Sequence, residues 1–119
     1  MGKPILCLDF DGVIHSYTSG WKGAHIIPDP PVEGAIDFIK VALEHFEVHV
    51  YSSRSHQLGG INAMQLWFQN HAGSEVQMAL CFPEYKPSAM ITIDDRALTF
   101  TGVWPDVKSL LTFKPWNKK

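Results

Sequence analysis

The chain has 119 residues, 45% of them hydrophobic, a length that fills one core and leaves too little for two. Ten Lys and Arg against twelve Asp and Glu give a formal charge of −2, which excludes a strong field for recruiting nucleic acid or an anionic membrane. No apolar span approaches membrane thickness, the amino-terminal apolar run is too short for a signal peptide, and Cys7 and Cys81 lie in apolar runs without a disulfide framework. The expectation is one reduced, cytoplasmic domain over residues 1–119.

The first predicted element is a buried strand from Pro4 to Leu8 that runs into Asp9-Phe10-Asp11-Gly12. Residues 12–31 follow without periodicity and carry Tyr17, Ser19, Gly20, Trp21, Gly23, Pro28, Pro30 and Pro31. A segment this long, leaving from a strand end, reads as a flap over the crevice. Asp29 as a cap, with Pro30 and Pro31 in the first turn, predicts a helix whose stripe is Val32, Ala35, Ile36, Ile39, Ala42 and Leu43, ending near His45. Phe46, Val48 and Val50 alternate with Glu47 and His49, a second strand that stops at Tyr51-Ser52-Ser53-Arg54.

Gly59-Gly60 precedes a second helical stripe, Ile61, Met64, Trp67 and Phe68, closing between Asn70 and Gly73. Residues 76–82 are expected as a third strand, Met90 to Ile93 as a fourth that runs into Asp94-Asp95, and Leu98 to Phe100 as a short fifth. A last helix is expected around Asp106 to Leu111. Strand alternating with helix predicts a Rossmann-like parallel α/β sheet of about five strands, helices on both faces and no large cap domain.

Parallel strands bring their carboxyl ends to one edge, so Asp9, Asp11, Ser52, Asp94 and Asp95 are expected to converge there, with Lys86 in the connection before the last pair. Four carboxylates and one ammonium leave a net −3, which crowding penalises unless a cation is present. Mg²⁺ prefers such oxygen ligands together with a substrate phosphate. In that setting a carboxylate can attack phosphorus, and a second carboxyl two residues on can protonate the leaving oxygen and then activate water. A hydroxyl and an ammonium would hold the remaining phosphoryl oxygens.

This ordered set resembles the haloacid dehalogenase (HAD) superfamily of phosphotransferases: Asp-x-Asp-Gly after strand one, Ser or Thr after strand two, Lys, then an acidic pair after strand four. The matching positions are Asp9 to Gly12, Ser52, Lys86, and Asp94-Asp95. The resemblance implies that Asp9 is the nucleophile and Asp11 the general acid/base. It further implies that Asp9, the Asp11 carbonyl and Asp94 bind Mg²⁺, and that Ser52 and Lys86 grip the phosphate. Asp95 completes the acidic set as a residue that orients the others. Gly12, His15, Ser53 and Arg54 stand beside these positions as candidate substrate contacts.

The expected activity is hydrolysis of a phosphate monoester through an aspartyl-phosphate. The segments 12–31 and 54–83 are too short for a large cap, so the site is expected to be open, with a nucleotide or a nucleic-acid terminal phosphate as the first substrate guess. Two other classes remain as alternatives. One is a phospho-accepting receiver-like domain, disfavoured because its acidic pair would come first and its Lys last. The other is a catalytically silent binding module on the same fold.

Overall fold

Ile5, Leu6, Cys7 and Leu8 form a run that suits a strand at the centre of a sheet, and this run becomes β1 (Ile5–Asp9). The protein is described by a computed structural model covering residues 2–118. β1 pairs in parallel with β2 (Glu47–Tyr51) on one side and β3 (Ile91–Ile93) on the other, giving the order β2-β1-β3. The helices are α1 (Ala35–His45), α2 (Gly60–Ala72) and α3 (Ser74–Ala79), and a 3₁₀ helix (Val107–Thr112) closes the list. The architecture is α/β with a three-stranded parallel open sheet among the described residues.

Alternation along each strand divides the sheet into two unlike faces. Leu6, Leu8, Val48 and Val50 join one cluster with Ile39 and Ala42 of α1, Met64, Trp67 and Phe68 of α2, and Val76 of α3. Helix packing is therefore concentrated on that face, where helices on both were expected. The opposite face carries Cys7, Asp9, Glu47, His49 and Tyr51, none of which enters the core cluster.

Residues 76–82 are not a strand. Gly73, at φ 92° and ψ 157°, breaks α2, and the chain restarts as α3 with Val76 and Leu80 buried and Met78 exposed. That is the i, i+4 spacing of a helix, not the i, i+2 spacing of a strand. Only Cys81 returns to the sheet, its N–H donating to the Val48 carbonyl and its carbonyl accepting from Val50 N–H. The fifth strand is also absent: residues 97–113 are exposed, Leu98 and Phe100 included.

α1 starts later than Asp29. Asp29 spends its carboxylate on the N–H and hydroxyl of Ser19, while the Pro30 carbonyl accepts from Ser16 N–H and Val32 N–H donates to the Ile14 carbonyl. The turn at Pro30-Pro31 is thus used to close the 12–31 segment on itself, and the helix waits for Gly34 at φ 85°.

Phe68 is fully buried and packs against Phe10, Trp67 and Phe82. Phe68→Ala is expected to cost about 3–5 kcal/mol of stability, measured by urea denaturation. A loss below about 1 kcal/mol would place the core elsewhere.

Candidate active site

From β1 the chain builds outward to β2, then returns to lay β3 on the other side of β1. The crevice of a parallel sheet opens at the carboxyl ends where the order reverses in this way. Asp9 ends β1 there, and Asp94 and Asp95 follow β3 directly. One carboxylate oxygen from each of the three lies within 4.8 Å of the other two. Around them is an open cavity of about 280 Å³ whose walls include Asp11, Tyr17, Ser52, Ser53 and Arg96.

Burial, followed by the charge of Asp94 and a hydrogen bond and charge from Asp95, pushes the Asp9 carboxyl up to about 8. Asp95 Oδ1 is buried with no hydrogen-bonding partner among the described residues. Asp94 uses one oxygen to accept the Arg96 N–H at 2.8 Å. Three hard oxygen donors with an orphaned lone pair and mutual repulsion are a set that a divalent cation fits. Gly12 makes the approach possible: at φ 85° it sits where a Cβ would overlap Asp95 Oδ2. Its carbonyl accepts the Trp116 indole N–H at 2.7 Å, which ties the carboxyl-terminal end to the same loop.

Asp11 lines the same cavity but does not join the acidic trio. Its Oδ2 accepts from Arg54 Nε at 2.9 Å, and its Oδ1 accepts from Arg54 Nη2 at 3.1 Å and lies 2.8 Å from His15 Nδ1. The His15 tautomer follows from its other nitrogen: Asp29 N–H donates to Nε2, so the ring proton is on Nδ1 and points at Asp11. Arg54 Nη1 reaches the carbonyls of Gly23, Ala24 and Ile26 at 2.8, 3.0 and 3.1 Å, and Trp21 covers the guanidinium at 4.7 Å. One buried cation therefore joins the first motif, the loop after β2 and the 12–31 segment.

The sequence-predicted residues separate accordingly. Asp9, Asp11, Ser52, Ser53, Asp94 and Asp95 meet in the cavity, and Gly12 backs it. Ser52 Oγ accepts the Arg54 N–H at 2.9 Å, which fixes its hydroxyl at the end of β2. His15 and Arg54, expected as substrate contacts, are fully buried with their polar atoms turned to protein groups. The Asp11 carboxylate, expected as the general acid/base while its backbone carbonyl was the expected Mg²⁺ ligand, is held by these two and lies outside the cluster of three. Lys86 is exposed and does not line the cavity. Its charge is felt instead at Cys7, whose thiol burial pushes up while Thr92 and Lys86 pull it back.

Arg96 is the cation that lines the cavity, and Tyr17 is its aromatic wall. Tyr17 adopts φ 61°, the one positive value outside glycine among the described residues, and burial followed by the Asp11 charge raises its hydroxyl. Both residues were visible as neighbours of the motifs, but nothing local distinguished Arg96 from Lys86. Comparison of the chain with protein-family models, with curated proteins and with solved structures finds no match. The functional reading rests on the chain's own residues.

Two outcomes follow. A carboxyl raised in the folded state binds its proton more tightly there, so the chelated protein is expected to lose stability as pH climbs from about 4 toward about 8. Asp9→Asn, which carries no such charge, should be more stable than the parent at pH 8.5 in EDTA and lose that advantage at pH 5. Equal offsets at both pH values, by urea denaturation, would contradict the crowded trio. Arg54→Met strands Asp11 and three carbonyls and should cost about 3–5 kcal/mol. It should also speed amide hydrogen exchange across residues 21–27, and unchanged exchange there would show that another contact closes the segment.

Proposed function

We propose that the chain is a Mg²⁺-dependent phosphohydrolase of the HAD type, cleaving a phosphate monoester through a phosphoryl group carried on Asp9. The observation that supports this reading most is the meeting of Asp9, Asp94 and Asp95 oxygens at the switch point of the sheet, beside the Ser52 hydroxyl and Arg96. Asp9, Asp94 and Asp95 are the residues that would hold the ion. When bound, Mg²⁺ supplies the positive charge that lets carboxylates and phosphate oxygens share one pocket.

Asp9 attacks phosphorus with one carboxylate oxygen, the bond to the leaving oxygen breaks, and the leaving group takes a proton. Ser52 donates its hydroxyl to a phosphoryl oxygen, and Arg96 takes the charge-offsetting place that Lys86 was expected to fill. Asp11 serves the proton transfers. His15 and Arg54 set its position, and Oδ2, which accepts only the Arg54 Nε–H, keeps a lone pair for the proton. In the second step water attacks the aspartyl-phosphate, gives its proton to Asp11 and releases phosphate, restoring Asp9.

The substrate class we favour is a nucleotide or nucleic-acid terminal phosphate, supported by the open cavity and by Tyr17 and Arg96 on its wall. No helix of the described residues is long and apolar enough to cross a membrane, and a cytoplasmic setting suits the two free thiols. The pairing of Asp11 with Arg54, and the absence of Lys86 from the cavity, favour one second reading: a phosphate-binding module without turnover.

With a chromogenic phosphomonoester and Mg²⁺, the parent should turn over, EDTA should stop it, and Asp9→Asn should reduce the rate at least about 10³-fold with the fold retained. Asp11→Ala should slow both half-reactions by about 10²–10⁴-fold. Full activity in Asp9→Asn would remove the nucleophile. Phosphate binding without any turnover by the parent would establish the second reading.

A further inference from the structure

A second constellation lies on the sheet face that the helices leave uncovered. Glu47 and His49 are two residues apart on β2 and so share that face, and Cys81 is bridged to His49 by backbone hydrogen bonds on either side. One ligand atom from each of the three lies within 4.8 Å of the other two. Glu47 Oε1 stands 2.8 Å from His49 Nε2 and 3.9 Å from Cys81 Sγ. His49 Nδ1 is buried with no hydrogen-bonding partner among the described residues, so the ring's one polar contact is to this cluster.

We propose that Glu47, His49 and Cys81 form a binding site for a zinc-like divalent ion, separate from the acidic pocket. The donor set is one oxygen, one nitrogen and one sulfur, which selects zinc and its neighbours over Mg²⁺. Around a tetrahedral zinc ion a sulfur and an oxygen ligand stand about 3.6 Å apart, and an oxygen and a nitrogen about 3.4 Å apart. The sulfur–oxygen distance, 3.9 Å, is about 0.3 Å longer than the first of these. The oxygen–nitrogen pair must open by about half an ångström, and the half-exposed Glu47 side chain is free to supply that movement.

Cys81 and His49 are fixed by the ladder itself, so two of the three ligands are held in place before the ion arrives. The Cys81 thiol loses its proton to solvent on coordination, and water from the exposed side completes the fourth position. Glu47 starts β2, whereas the acidic pocket is at its end, four residues or about 13 Å further along. The two sites therefore take ions of different chemistry at different ends of one sheet.

Cobalt titration of the reduced protein tests this, because Co²⁺ on a thiolate gives an intense charge-transfer band and Co²⁺ on carboxylates alone does not. One equivalent should produce the band, Zn²⁺ should bleach it, and millimolar Mg²⁺ should leave it. The band should be lost in Cys81→Ser and retained in Cys7→Ser and Asp9→Asn, with each fold checked by circular dichroism. His49→Ala and Glu47→Gln should weaken binding by about tenfold or more. No band in the folded parent, a band that survives Cys81→Ser, or one lost in Cys7→Ser would overturn the site. If Cys81→Ser does not fold, the parent spectrum and the Cys7→Ser and Glu47→Gln titrations decide the matter.

Discussion

A guanidinium with no solvent exposure has to find its hydrogen-bond acceptors inside the protein, and Arg54 finds them in two parts of the chain distant from its own. Asp11 supplies the opposite charge, and three carbonyls of the 12–31 segment receive one of the two terminal nitrogens. Left unmatched, such a charge would cost several kcal/mol. The loop after β2, the end of β1 and the long connection between them are consequently held as one body. His15 extends the same network inward, from Asp11 to the Asp29 backbone, and the Trp67 indole donates to the Asp29 carbonyl.

Next to this satisfied cluster lies an unsatisfied one. Asp9, Asp94 and Asp95 repel one another and have only scattered hydrogen bonds to offset it, whereas Asp11, two residues from Asp9, is fully paired. The same motif thus presents one carboxylate in need of a cation and another already supplied with one. This division separates the proposed nucleophile and ion-binding residues from the proton-handling residue. It arises from pointing Asp9 and Asp11 into different surroundings, with Gly12 leaving the space that Asp95 fills.

Much of the candidate site was legible because its residues follow apolar runs that end abruptly. Asp9, Ser52 and Asp94 each come at or directly after a strand end, and the parallel sheet does the rest. Two of the element expectations failed. Residues 76–82 are an apolar run too short for periodicity to decide, and Gly73 set the helix restart. Asp29 and the prolines after it carry every local sign of a helix start, but Ser19, Ser16 and Ile14 compete for the same groups and win. His15 and Arg54 looked like substrate contacts because they flank motifs, and burial is not a local property.

From the residues alone came the β1 strand, the two main helices, the acidic positions and the hydroxyl beside them, because hydrophobic period and turn chemistry are set within a few neighbours. Only the folded chain decided which cation lines the cavity, which way Asp11 turns and which sheet face stays bare of helix. The same holds for the meeting of Glu47, His49 and Cys81. Each of these depends on contacts between segments tens of residues apart, where the energy of filling a buried hydrogen bond or ion pair outweighs any preference written into adjacent residues.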